Sequence, residues 1–400
     1  MNHASLAGVT VLEVGVFMAA PFAAMQLADL GARVIKIEPP QSGDPTRATG
    51  PFLDGESSPF IRLNRNKESV ALDLKSDHGK EAFRRLAERA DVLVENLRPG
   101  AMTRLGFGPD ALKELNPRLV YASGSGWGQD GQLSTLPGLD IMAQARSGLM
   151  SITGTAESGP VKVGVPICDL VCGLYLALGI TAALRHRDAT GEGQHIDVSL
   201  FESGVSFAVW EAGKYFATGE IGRRTGSAHQ SQAPYQAIRA RDGGVTVGAI
   251  TPKTWIGFCT ALGREDLLAD ERYATSNSRI ALREELIAAI EQTTLTRTVD
   301  DLVSAWVSEG VPCAPIADYS MVFTDSHLTE RDYFWDARHP DLGKVRQLGS
   351  PIRMSATSAR RDNAGPSLGQ HTRSVLAEIG MADITAASRS GSSGSSGSKE

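Results

Sequence analysis

In "PVKVGVPICDLVCGLYLALGITAALRHR", residues 160–187, Asp169 is the only carboxylate, set three positions after Pro166 and ahead of a long apolar run. Proline suits the first turn of a helix, where its missing N–H costs nothing, so Asp169 falls in that turn or the next. A carboxylate there faces unpaired amides and the positive helix end, which favour its ionised form by ~0.3–1 kcal/mol. Arg185, His186 and Arg187 suit the opposite pole. The i+4 neighbour is Gly173, so no side chain grows over the carboxylate on that face and something can approach it. An ionised, approachable carboxylate is a candidate reacting group. The same placement is also how a buried helix starts, and these features alone leave both readings open.

Other chemistries have no anchor. A dinucleotide fingerprint needs glycines straight after the first strand, where the sequence reads "GVFMAAP". The glycines of "SGSGWG" lead into a loop and read as a tight turn. The chain has no GxxxxGK[ST], HExxH, EF-hand loop or GxSxG, and its eight histidines are scattered, so no metal site is expected. The four cysteines, Cys168, Cys172, Cys259 and Cys313, form no CxxC pair. They read as reduced thiols, which points to the cytoplasm.

The elements around Asp169 follow from hydrophobic periodicity. "VTVLEVG", "ARVIKIE", "ESVALDL", "DVLVEN" and "RLVYASGSG" read as strands, with helices at Met18–Leu30, Ser76–Arg89 and Pro109–Leu115 between them. Such alternation implies a parallel sheet covered by helices, a Rossmann-like α/β domain. "ATGEGQHIDVSL" adds a glycine turn and a further strand. After Leu200, "FESGVSFAVWEAGKYFATGE" reads as an amphipathic helix. "IGRRTGSAHQSQAP" reads as a polar loop, and "YQAIRARDGGVTVGAI" as a hairpin turning at Asp242 to Gly244. Helical patterns at Lys253–Leu262 and Ser278–Thr293 complete a smaller α+β domain. The expected organisation is a large domain from 1–200 with about 345–385, a linker at 201–224, a small domain at 225–316 and a second linker at 317–344. The Gly/Ser tail at 386–400 reads as disordered or a linker.

At 400 residues, with 42% apolar and 22% charged side chains and a net charge of -6, the chain offers no basic field for nucleic acid. "MNHASLAGVTVLEVG" lacks the features of a signal peptide. The apolar run Leu170–Leu184 falls short of the ~20 residues that cross a bilayer, so a buried helix is expected and no membrane partner.

Beyond these patterns, the sequence resembles the class III CoA-transferases, the formyl-CoA transferase and carnitine CoA-transferase group, from Leu6 to about Met381. The resemblance is carried by "LADLGARVIKIEPP" with "GDPTR", "LNRNKESVALDLKSDHGKEAF", "ADVLVENLRPGAMTRLGFG", "NPRLVYASGSGWGQDG", "GVPICDL", "TGEGQHIDVSL", "GVPCAPI" and "LGQHT". It implies that Asp169 is the nucleophile. Attack on a donor thioester would give an aspartyl anhydride and CoA thiolate; the thiolate would then give aspartyl-CoA, and the acceptor acid would run both steps in reverse. CoA is thus a substrate, and no tightly bound cofactor is expected.

The resemblance also assigns Leu72, Lys75, Asn96 and Arg104 to the CoA path, and Met18, Asp140, Gly226, Ser227 and His229 to the acyl site and its mobile loop. Met18 and Pro39 depart from the formyl-CoA transferases, which carry glutamine and arginine there. "RTGSAHQSQAPYQ" and the run around Asp169 are closest to the succinyl-CoA-dependent branch with dicarboxylic acceptors, and Arg223 and Arg224 are candidates to pair with a distal carboxylate. Two alternatives are an α-methylacyl-CoA racemase and a non-catalytic CoA-binding paralogue. Against the first, "GLDIM" puts Leu139 where racemases carry a proton-transferring histidine. Against the second stands the intact Asp169. The resemblance further implies a homodimer of two chains threaded as linked rings.

Overall fold

The computed structural model of the chain describes residues 4–381. The tail at 386–400 and the last residues of the expected large domain lie outside the described residues. Six short runs form one parallel sheet: β1 (Thr10–Val14), β2 (Arg33–Glu38), β3 (Lys67–Ala71), β4 (Val92–Glu95), β5 (Val120–Ser125) and β6 (His195–Ser199), with β1, β2 and β4 the richest in Val, Ile and Leu. Their order is β3-β2-β1-β4-β5-β6, with Thr10 opposite Arg33 and Val11 opposite Val92. The chain therefore reverses direction across the sheet between β1 and β4. In such sheets a crevice opens outside the carboxyl ends of the strands at that switch point. The expected mixed α/β fold with a parallel, Rossmann-like sheet is what the chain forms.

Helix α1 (Ala19–Asp29) and a long helix, α2 (Ile167–Thr190), cover one face. Ala19, Ala20, Ala23 and Ala24 of α1 pack with Cys168, Cys172, Leu176 and Ile180 of α2. Alanines bring the two backbones close, and Gly173 completes the contact: a Cβ there would lie 2.8 Å from the Ala19 carbonyl oxygen. The other face is closed by Phe83 and Leu86 of the helix Asp77–Ala87 and by Val375 and Leu376 of the helix Thr372–Glu378. Each large side chain so buried contributes ~1.5–3 kcal/mol of transfer free energy.

Among the described residues the chain divides into two compact units. The larger holds residues 4–149, 162–217 and 328–381; the smaller holds Met150–Val161 and Thr218–His327. The smaller unit is built on an antiparallel sheet of Tyr235–Arg239, Gly244–Gly248 and Cys313–Pro315. Its core stacks Phe258 between Trp255 and Trp306, with ring centroids 5.7 and 5.1 Å away.

Several expectations change. Residues 150–161 cluster with the smaller unit, although they precede Leu200. The stretch at 201–224 carries helices instead of a plain linker: Leu200–Val205 and α3 (Val209–Thr218), where one amphipathic helix was expected. The stretch at 317–344 holds most of a β-hairpin, Phe334–His339 with Gly343–Leu348, whose alternation buries Ala337 and His339. Polar residues on its outer face and Pro340 at its turn hide that alternation in the sequence. Helix α2 also runs past the expected apolar core to Thr190, ended by Gly191 at φ 83°. With 24 residues it is long and apolar enough to cross a membrane by length and composition, while in this fold its buried face is part of the large unit's core.

Candidate active site

Pro166 stands at the N-cap of α2 and Asp169 in its first turn, as the proline spacing predicts. The N-terminal amides of a helix need acceptors, and Pro166 has no side-chain acceptor to offer. Asp140, the first residue of the helix Asp140–Arg146, supplies one from another element. Its Oδ1 accepts from the Cys168 amide at 2.8 Å and the Asp169 amide at 3.4 Å. Its Oδ2 accepts from Gln144 Nε2 at 2.6 Å, and Gln144 Oε1 accepts from the Val163 amide at 2.9 Å. The segment entering α2 is thereby tied to the Asp140 helix.

The Asp169 carboxyl is half-buried and its pKa is pushed up to about 7, first by burial and then by the negative charge of Asp140. This reverses the sequence expectation that the helix end would keep it readily ionised: desolvation and a like charge outweigh the dipole. A carboxylate with a raised pKa near neutrality is more basic and a stronger nucleophile than an ordinary one. Gly173 also has a different role from the one its spacing suggested. The close approach it permits is that of the α1 backbone, with the Ala23 nitrogen 3.3 Å from a Cβ placed there. Cys168 and Cys172 are buried free thiols, pushed up to about 12 and out of the usual range respectively, chiefly by burial.

A cleft of about 500 Å³ opens at the switch point. Its wall is made by residues at or just past the strand ends: Val14, the last residue of β1, with Gly15 and Val16, Pro39 to Ser42 after β2, Leu72 to Lys75 after β3, and Leu97 after β4. Leu72 is buried in the wall and Lys75 lies exposed at its edge. Arg104, exposed, sits on the short helix Ala101–Leu105, whose Leu105 lines the cleft. Asn96, expected on the CoA path, is bonded to the loop after β1. Both ends of its amide bind the Val16 backbone, Oδ1 accepting from the amide and Nδ2 donating to the carbonyl, each at 2.9 Å. It holds the Val16 backbone of the cleft wall. Its neighbour Glu95 accepts from the Leu97 amide at 2.8 Å and is pushed up to about 7, mainly by burial.

Met18 is the half-buried N-cap residue of α1, directly after Phe17. Leu139 is exposed and caps the Asp140 helix with backbone alone. Gly226, Ser227 and His229 belong to the smaller unit. Gly226, at φ 63°, donates its amide to the Gly154 carbonyl at 2.8 Å. Ser227 Oγ accepts from the Ala237 amide at 3.1 Å, and the His229 ring stacks on Tyr235 with centroids 4.9 Å apart. Arg224 donates to the carbonyls of Thr155 and Ser151 at 3.2 and 3.1 Å, so its guanidinium fastens this loop. Arg223 remains exposed. Among the described residues no cluster of metal-ligating side chains occurs.

Sequence reasoning missed a buried ionic cluster beneath the cleft. Glu13, Lys36, Glu38 and Lys67 lie at alternate positions of β1, β2 and β3 and so share one face of the sheet. Lys36 Nζ meets Glu13 Oε1 at 2.6 Å and Asp44 Oδ2 at 2.9 Å; Lys67 Nζ meets Glu13 Oε2 at 2.7 Å. Arg47 pairs with Glu38 at 2.7 Å. Charged residues punctuating "VLEVG", "VIKIE" and "KESV" were the available signal.

With this geometry in view, comparison with known proteins gives a consistent result. The family model described as CoA-transferase family III matches residues 6–372. The succinyl-CoA:glutarate CoA-transferase of Mus musculus is 36% identical over 379 residues, covering 94% of this chain and 86% of that one. The succinyl-CoA:mesaconate CoA-transferase of Haloarcula hispanica is 37% identical, covering 93% and 95%. The crystal structure of a CAIB/BAIF family protein from Brucella suis superposes with a TM-score of 0.87 at 35% identity, covering 94% of this chain and all of that one. A parallel sheet with its cleft at the switch point, a carboxyl group at the head of the long helix and a match across nearly the whole chain converge: the chain belongs to CoA-transferase family III.

Proposed function

We propose that this enzyme moves CoA from an acyl-CoA donor, succinyl-CoA or a close analogue, to a dicarboxylic acid, with Asp169 as the covalent carrier. The observation that carries this reading is the Asp169 carboxyl in the first turn of α2, held at about 7 by burial and by Asp140. Ionised, it attacks the donor thioester carbonyl; the C–S bond breaks and CoA leaves as thiolate, giving an aspartyl–acyl anhydride. The thiolate attacks the aspartyl carbonyl, releasing the donor acid and leaving aspartyl-CoA. The acceptor carboxylate then attacks that thioester, and the thiolate returns to the acceptor's acyl carbon. Two thioesters are exchanged and no external energy source is consumed.

The relatives named for glutarate and mesaconate support a dicarboxylic acceptor. Lys75 and Arg104, at and beside the cleft, suit the phosphates of CoA. The resemblance assigns the loop of Gly226, Ser227 and His229 to acyl binding. The active form is a homodimer of interlocked chains. Helix α3 supports this: none of its residues is buried, and Trp210 and Phe216 are 71% and 84% exposed. An isolated ten-residue helix is marginal in water, and so large an apolar face calls for a partner surface. The buried free thiols fit a cytoplasmic enzyme.

The test is a panel of acyl-CoA donors against mono- and dicarboxylic acceptors, read by chromatography, with Asp169→Ala in parallel. Transfer to dicarboxylates that is lost in the variant supports the proposal. Transfer by the variant at the wild-type rate contradicts it.

A further inference from the structure

We propose that Lys36 is a positioning residue for acyl-CoA binding: through the buried ionic cluster it holds the backbone at Gly15–Phe17, whose Gly15 and Val16 form part of the cleft wall. This rests on the reading of that cleft as the CoA site. Phe17 has φ 57°, a left-handed conformation that costs a bulky residue energy and persists only where its surroundings impose it. Its ring is half exposed, so packing does not impose it. Three polar side chains do. Lys36 Nζ donates to the Gly15 carbonyl at 2.8 Å, Asn96 pairs with both backbone groups of Val16, and Asp44 Oδ1 accepts from the Phe17 amide at 3.3 Å. Lys36 also binds Asp44, so one ammonium links two of the three holds.

The cluster extends to the helix that backs Asp169. Lys67 Nζ donates to the Pro21 carbonyl in the first turn of α1 at 2.8 Å and pairs with Glu13, which also pairs with Lys36. The first turns of α1 are in turn where Gly173 of α2 packs. The cleft wall and the helix carrying Asp169 thus share one buried scaffold. Glu13, Glu38 and Asp44 balance Lys36, Lys67 and Arg47. Fully buried ion pairs seldom improve stability over apolar side chains of equal volume. What this one provides that apolar residues lack is donors and acceptors aimed at the loop's backbone.

The charge-balanced pair Glu13→Gln with Lys36→Met removes the Gly15 hold while leaving two carboxylates and two cations. The expected result is a folded enzyme whose KM for acyl-CoA rises at least ~5-fold, a loss comparable to one hydrogen bond, with KM for the acceptor acid unchanged. A merely structural role would lower the melting temperature or the active fraction and leave KM alone; that outcome overturns the proposal. Ser42→Trp, which fills the cleft from its rim, separates the two readings. If it leaves acyl-CoA KM unchanged, the cleft assignment fails and the clamp with it. If it raises KM while the Glu13/Lys36 pair does not, the clamp alone fails. A further measurement needs no variant: in the wild-type protein, peptides covering residues 15–18 should exchange amide hydrogens far more slowly than an open loop. Exchange there at open-loop rates overturns the proposal.

Discussion

Asp140 accepts a hydrogen bond from the backbone amide of Asp169 while its charge disfavours ionisation of the Asp169 carboxyl. In Asp140→Asn the oxygen still accepts from the amides of Cys168 and Asp169 and the charge is gone, at the cost of the bond that Oδ2 accepts from Gln144. The rate of the donor half-reaction in the wild type should rise as pH passes through about 7, where Asp169 ionises. In Asp140→Asn that rise should move to lower pH. Asp140→Ala, which removes the acceptor as well, should also destabilise the fold by ~1 kcal/mol. Stopped-flow measurement across pH checks both.

Asp169 should cost the protein stability where it is ionised. Its folded-state pKa of about 7 lies above that of an unfolded aspartate, so the native state binds the extra proton between ~pH 4 and 7. The cost is absent below that window, grows as pH rises through it, and is full above about 7. Asp169→Asn should therefore be more stable than the wild type at pH 8, by ~1–2 kcal/mol after allowing for partial exposure. The two should coincide near pH 4. Denaturant melts at both pH values test this.

Gly173→Ala places a methyl group 2.8 Å from the Ala19 carbonyl oxygen, a backbone atom that cannot rotate away. The variant should lose ~1–3 kcal/mol, the usual cost of overpacking. It should lose activity as well, because the contact sets the turn that carries Asp169. Thermal melts and transfer assays on the same sample check both.

Lys75→Ala and Arg104→Ala should each raise the KM for acyl-CoA about tenfold, the size of one charge-assisted contact. Neither should change kcat or the KM for the acceptor acid. Steady-state kinetics at two salt concentrations are the check, with the smaller salt dependence expected in the variants.

The sheet was legible because short apolar runs, densest in β1, β2 and β4, alternate with helical periods, and the helices beginning near Met18, Ser76 and Pro109 start within a residue or two of their sequence signals. Asp169 stood out because a lone carboxylate after a proline breaks an apolar pattern, and the resemblance, not the pattern, made it the candidate nucleophile. The state of that carboxylate was not legible: its raised pKa depends on Asp140, which is remote in the chain and meets it only through the fold. Gly173 was read as an opening for a ligand, although a glycine cannot declare from sequence whether backbone or substrate approaches it. Asn96 and Arg224 look like ligand-binding side chains by type, yet both are committed to backbone groups. The ionic cluster escaped because Glu13, Lys36 and Lys67 meet only when three strands align side by side. Helix α3 read as amphipathic, but periodicity cannot say that none of its residues is buried among the described residues.

The most direct measurement is mass analysis of the peptide spanning "GVPICDLVCG" after incubation with acyl-CoA donor alone. Donor acid can dissociate before acceptor arrives, so CoA should remain attached to Asp169 as a thioester that survives reductant and is cleaved by hydroxylamine. Reductant distinguishes this adduct from a disulfide between CoA and Cys168 or Cys172. A reductant-stable, hydroxylamine-sensitive CoA adduct on Asp169, absent without donor, is the predicted result. Full turnover with acceptor present, together with no such adduct under donor alone, would contradict the covalent role of Asp169.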